Sequence, residues 1–119
     1  MTNNSSPYNQ FGKTILITGG NSGIGFNSVI RFLETENYLY VPIRSKIRKE
    51  LFINNLKNIY GKNHLKKYLK IISDIDLSNL KNVSNLEKYF ENENIKFDII
   101  ILNAGLQYTG ALYPKVSKQ

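Results

Sequence analysis

Thr14-Ile15-Leu16-Ile17-Thr18-Gly19-Gly20-Asn21-Ser22-Gly23-Ile24-Gly25 is the stretch that decides the fold. A short apolar run ends in a polar, glycine-rich turn, and beyond it Ile24, Phe26, Val29, Ile30 and Leu33 recur at helical spacing. A strand that breaks into glycines and resumes as a helix is how a doubly wound α/β domain cradles a pyrophosphate. The glycines answer a steric need. The chain must turn sharply, and its backbone N–H groups must reach phosphate oxygens with no Cβ in the way. The helix that follows aims the positive end of its dipole at the anion.

Working outward, Lys13 to Thr18 reads as a first strand, buried on both faces as parallel strands are. Asn37 ends the first helix, and Tyr38 to Ile43 is a second strand, with Pro42 near its end, where a lost ladder donor is best tolerated. Ser45 is the expected N-cap of a second helix whose stripe is Ile47, Leu51, Phe52, Leu56 and Ile59, with Gly61 as its stop. Lys62 to Lys67 reads as a basic loop, followed by a third strand at Tyr68 to Ile72. Ser78 is the expected cap of a third helix that turns Leu80, Val83, Leu86 and Phe90 inward, and Phe97 to Leu102 is a fourth strand. The pattern β-α-β-α-β-α-β implies an α/β fold with a partial, doubly wound parallel sheet and right-handed crossovers. Residues 1–10 read as a flexible tail, 11–105 as a Rossmann half-domain, and 106–119, with Pro114, as a loop at a truncated C-terminus.

Composition narrows the class. A chain of 119 residues, 41% of them hydrophobic, has room for one domain and one core. No apolar run approaches a membrane span, and the polar first residues lack the basic and apolar regions of a secretory signal. The absence of cysteine excludes disulfides and thiolate chemistry and fits a reducing compartment, so the reading is a cytoplasmic protein. The net charge of +7 gathers at Lys46, Arg48, Lys49, Lys57, Lys62, Lys66, Lys67 and Lys70. No nucleic-acid motif or interleaved aromatics accompany these cations, so they read as a solvated helix face and no nucleic-acid partner is expected. His64 stands in the basic loop without a partner carboxylate nearby and reads as a surface histidine.

Four features fall at the carboxyl ends of the four strands, where such a sheet binds its ligand: the glycine turn, Arg44, Asp76-Leu77, and Asn103-Ala104-Gly105. Together they resemble the short-chain dehydrogenase/reductases. The family's Thr-Gly-x-x-x-Gly-x-Gly signature is met by Thr18, Gly19, Gly23 and Gly25, with Ile24 between the last two. Its Asp-Leu pair is met by Asp76-Leu77, and its Asn-Asn-Ala-Gly by Asn103, Ala104 and Gly105, with Leu102 in place of the first Asn. Ile43-Arg44-Ser45, the run Asp76 to Val83 and the run Asn103 to Gly110 look like the branch of light-dependent protochlorophyllide reductases and retinol-dehydrogenase-like enzymes.

The resemblance implies a strand order 3-2-1-4 and a dinucleotide held at Thr18, Gly19, Asn21, Ser22, Gly23, Ile24, Gly25, Arg44, Asp76, Leu77, Asn103, Ala104 and Gly105. Arg44 stands where an NAD-selective site places a carboxylate for the ribose 2′-OH, and its guanidinium suits a 2′-phosphate, so the expected cofactor is NADP(H). Asp76 is expected to accept from the adenine amino group, with helix-start duty as the bland alternative. The family's catalytic serine and Tyr-x-x-x-Lys lie downstream of the fourth strand. No Tyr-x-x-x-Lys follows Asn103, and Tyr113-Pro114-Lys115 has the wrong spacing, so no catalytic residue is carried over. The expectation is the NADP(H)-binding N-terminal part of an oxidoreductase, not competent alone, whose fourth strand offers an open apolar edge to a protein partner. The competing reading is a stand-alone nucleotide-binding or interaction module that pairs through that edge. No metal site is expected.

Overall fold

The computed structural model describes residues 10–21 and 23–103. Along them run β1 (Thr14–Thr18), α1 (Gly23–Glu34), β2 (Tyr38–Ile43), α2 (Lys46–Lys57), α3 (Lys62–Tyr68), β3 (Leu69–Ser73), α4 (Leu80–Asn92) and β4 (Ile99–Leu102). The strands form one parallel sheet in the order β3-β2-β1-β4, as the resemblance implies. The register sets Thr14 against Tyr38, Ile15 against Ile99 and Leu39 against Leu69.

Strand side chains alternate between two layers. Ile15, Ile17, Leu39, Val41 and Ile43 meet Val29, Phe32 and Leu33 of α1, Phe52 and Leu56 of α2, and Leu65 and Tyr68 of α3. Leu16, with Tyr40, Ile72 and Ile100, faces Leu86 and Phe90 of α4, where Tyr40, Phe90 and Phe97 pack edge to face. Three helices therefore cover one face and one covers the other. β4 pairs with β1 alone among the described residues, and all four of its side chains stay half-buried.

Several local expectations need correction. Lys62 to Lys67 is not a loop but most of α3, because Leu65 and Tyr68, one turn apart, both sink into the core. Gly61 is extended and stands at the N-cap of α3, while α2 ends earlier, with Asn58 as its C-cap. Ser45 caps α2 as expected, accepting the Arg48 N–H at 3.1 Å. The stripe of α2 narrows to Phe52 and Leu56, since Ile47, Leu51 and Ile59 are exposed. Ser78 does not cap the next helix. Asn79 does, accepting the N–H groups of Lys81 and Asn82, and Leu80 is exposed rather than inward.

The ends of α1 and α4 share one device. Glu36 and Asn94 take left-handed φ values of 57° and 56°. The N–H of the next residue then reaches back to the carbonyl five before it, Asn37 to Phe32 and Ile95 to Phe90. Asn37 does more than stop a helix. It is fully buried, its Oδ1 accepts the Lys13 N–H at 2.9 Å, and its Nδ2 donates to Gln10 O, Phe32 O and Thr35 Oγ1. It thereby ties the start of β1 to the end of α1. The expected tail at residues 1–9 and the loop at 106–119 lie outside the described residues.

Candidate functional site

The carboxyl ends of the four strands lie along one side of the sheet, as a parallel order requires. β1 leads into the glycine turn. Gly19 has φ +67°, a conformation that L side chains rarely adopt, and a Cβ there would stand 3.0 Å from Asn103 Cβ. The constraint at Gly25 is harder. A Cβ there would lie 2.0 Å from Gly19 O, so the first turn of α1 rests directly on the backbone of the loop. Gly23, at φ +48°, has nothing within 4 Å of its Cβ position and faces open space. The turn thus presents bare backbone, and the first turn of α1 carries no acidic residue to oppose an anion.

Thr18 is wholly buried, and its hydroxyl is occupied. It donates to Ile101 O at 3.4 Å and accepts the Asn103 N–H at 3.3 Å, while Asn103 Nδ2 donates to Thr18 O. Thr18 was expected to contact the ligand. Its side chain bolts the end of β1 to the end of β4. Asn103 is held beside Gly19 and Gly25 by the same bonds.

Gly20, at an open position of the signature, is constrained by the core. It is buried, and a Cβ would press on Val29 Cγ2 at 3.0 Å and Val41 Cγ1 at 3.2 Å. The doubled glycine at 19–20 was the available signal.

At the end of β2, Arg44 is exposed and lies just before the capped start of α2. Asp76, in the loop after β3, feels its charge. The Asp76 carboxyl is held below its ordinary value of 3.8, first by the Ser78 hydroxyl, then by the Ser78 N–H, and also by the Arg44 guanidinium, against a partial desolvation cost. Both Ser78 bonds fall on Oδ1, at 2.7 Å and 3.0 Å. The Asp76 N–H is bound by Asn82 Oδ1 at 2.9 Å, and the Ile75 N–H donates to Ile43 O at 3.3 Å, fastening this loop to the end of β2. Leu77 packs its side chain against the α4 layer and leaves backbone for the site. Lys49 Nζ donates to Ser73 Oγ at 2.8 Å, linking α2 to the end of β3.

The fold therefore brings Gly19, Gly25 and Asn103 into one contact group, leaves Gly23 facing open space, and lets the Arg44 charge act on Asp76. Asn21 is half-buried in the turn, and Ile24 is 79% exposed rather than part of the core stripe of α1. Ser22, Ala104 and Gly105 lie outside the described residues, as do Tyr113, Pro114 and Lys115. Among the described residues no cluster of three potential metal ligands occurs, and no helix is long and apolar enough to cross a membrane.

His64 is not a surface group but half-buried. It stacks on Tyr60 at 4.9 Å and meets Tyr68 at 4.9 Å, and its Nε2 lies 2.9 Å from Leu33 O. A carbonyl can only accept, so Nε2 carries the proton. This histidine holds α3 against the end of α1, away from the strand ends that build the site.

A parallel sheet with a glycine cradle at the first strand end defines a Rossmann-type dinucleotide-binding fold. The family model for short chain dehydrogenase matches residues 13–117, and the chain belongs to that family. Among curated relatives, short-chain dehydrogenase/reductase iacJ of Pestalotiopsis fici is 32% identical over 99 residues, which are 83% of this chain and 30% of that protein. The WW domain-containing oxidoreductase of Gallus gallus is 28% identical over 95 residues, 80% of this chain and 22% of that protein. The chain thus spans a third or less of these relatives. Two solved structures share the fold. Pseudomonas aeruginosa RhlG in complex with NADP has a TM-score of 0.63 at 24% identity, covering 82% of this chain and 35% of that one. L-sorbose reductase from Gluconobacter frateurii, complexed with NADPH and L-sorbose, has a TM-score of 0.59 at 23% identity, covering 80% and 34%.

Proposed function

We propose that this chain is the NADP(H)-binding portion of a short-chain reductase of the protochlorophyllide-reductase and retinol-dehydrogenase-like branch. The observation that carries the reading is the pairing of a glycine cradle at Gly19, Gly23 and Gly25 after β1 with Arg44, and no carboxylate, at the end of the neighbouring strand β2. The two relatives solved with NADP or NADPH support the same cofactor class.

In this reading the backbone from Gly19 to Gly25 and the start of α1 receive the pyrophosphate. Arg44 pairs with the 2′-phosphate, Asp76 offers Oδ2 to the adenine amino group, and Asn103 with the Ala104-Gly105 backbone bounds the ribose on the nicotinamide side. Bound NADPH supplies a hydride for reduction of a carbonyl or an activated double bond. In this reading the role of these residues is to bind and orient the cofactor.

The test is cofactor titration by protein and NADPH fluorescence. Arg44→Ala should weaken NADPH by roughly tenfold to a hundredfold, the scale of lost charge-assisted hydrogen bonds, and leave NADH nearly unchanged. Equal losses for both cofactors overturn the assignment.

The half-buried outer side of β4 favours a second reading, a nucleotide-binding module that pairs with another chain through that edge. Light scattering separates the two: a species of more than one chain, broken to monomer by Ile100→Lys, supports the module.

A further inference from the structure

At the β3 edge of the sheet, on the side away from β4, α2 and α3 leave a groove of about 480 Å³. One wall is the α2 face carrying Lys49, Ile53 and Lys57, which repeat every fourth residue. The other is the α3 face carrying Lys62, Leu65 and Lys66, and the floor is Leu69 and Ile71 of β3. The lining is therefore entirely aliphatic or cationic: four lysines and four branched side chains line it, and no carboxylate is among them. Lys49 is tethered to Ser73, which fixes one rim of the groove. Long lysine stems do cover apolar surface on many helices. Here, however, every charged residue that lines the groove is a lysine, so its rim suits an anion.

The groove beside α4 makes the contrast. It measures about 680 Å³, and its two lysines, Lys88 and Lys96, are matched by Glu87 and Glu91. Charge balances in one groove and is left over in the other.

We infer that the α2–α3 groove binds a single-chain anionic amphiphile, a long-chain carboxylate whose head group the lysines receive and whose tail lies on Ile53, Leu65, Leu69 and Ile71. The volume lies within the usual range for small-molecule pockets, and the aliphatic floor suits a hydrocarbon tail better than a polar chain. Its lining includes neither Arg44 nor any residue of the glycine turn.

The probe is 11-(dansylamino)undecanoate, titrated below its micelle concentration into the intact chain and followed by dansyl fluorescence. Saturable binding of one molecule per chain is expected. The triple variant Lys57→Gln/Lys62→Gln/Lys66→Gln should weaken it at least tenfold, while Lys88→Gln, in the other groove, should not, and circular dichroism should show both variants folded. Should the triple variant fail to fold, Lys62→Gln alone carries the test, with a weakening of threefold or more expected. The methyl ester of the probe should bind at least tenfold more weakly than the acid. Three results overturn the inference: equal binding of acid and ester, no effect of the groove lysines, or attachment only to vesicles of anionic phospholipid or to polyglutamate with no binding of the free carboxylate.

Discussion

Single residues carry more of this fold than their motif labels suggest. Asn37 reads in sequence as a helix terminator, yet it is buried and bonded to Lys13, Gln10, Phe32 and Thr35. Asn37→Ala takes the side-chain partner from the part-buried Lys13 N–H and Gln10 carbonyl, while Phe32 O keeps the backbone N–H of residue 37, and should lower unfolding free energy by about 1–3 kcal/mol in urea denaturation. Asp76 gives a prediction in pH. Its carboxyl is held below 3.8 by Ser78 and Arg44, so the charged form is favoured in the folded state. That contribution is complete above the unfolded value near 3.8 and disappears as pH falls through the lowered folded value. The stability difference between wild type and Asp76→Asn should therefore be constant from neutral pH to about 4.5 and shrink in stronger acid. A difference that grows in acid would falsify this role for Ser78 and Arg44.

At the scale of elements, the boundaries that sequence reading misplaced share a cause. Ser78 and Asn79 both carry a side-chain acceptor, and pattern alone does not choose between them. The structure does: the Ser78 hydroxyl is turned to donate to Asp76 Oδ1, and it is Asn79 Oδ1 that receives the N–H groups of Lys81 and Asn82. Asn79→Ala should thus cost about 1 kcal/mol as a lost N-cap, with thermal melting as the measure. Ser78→Ala should lose the hydroxyl bond to Asp76 Oδ1, keep the backbone N–H bond to it, and leave the helix start intact by circular dichroism. The strands were legible, since short β-branched runs such as Ile99 to Leu102 have few other ways to be buried, and so was the glycine cradle, since it is a local motif. α3 was not legible. It has only seven residues, with Leu65 and Tyr68 alone turned inward, and a stretch that short shows no period. His64 was misread with it, because its partners Tyr60 and Leu33 O come from outside the helix.

For the whole molecule, two layers of unequal depth follow from the order of crossovers. The first two crossovers step the same way along the sheet and put α1, α2 and α3 on one face, while the third steps back past β1 and leaves α4 alone on the other. Strand positions of the candidate site were readable from sequence because every ligand-facing segment directly follows a strand. The bonds that join those segments were not, because they link distant parts of the chain: Thr18 to Asn103 and Ile43 to Ile75. The same distance explains why Thr18, matched as a motif residue, turned out to be a bolt between strands.

That bolt has a consequence in time as well as in space. Thr18 and Asn103 are 85 positions apart, and the glycine turn is braced only when both are present. A growing chain on the ribosome makes its cradle among the first residues to emerge but receives the brace last, after every other strand of this sheet. Translation therefore delivers the glycine turn early and unfinished, and under the proposed NADP(H) reading a chain stalled before Ile99 should not be retained on an immobilised NADP resin, whereas one released past Asn103 should.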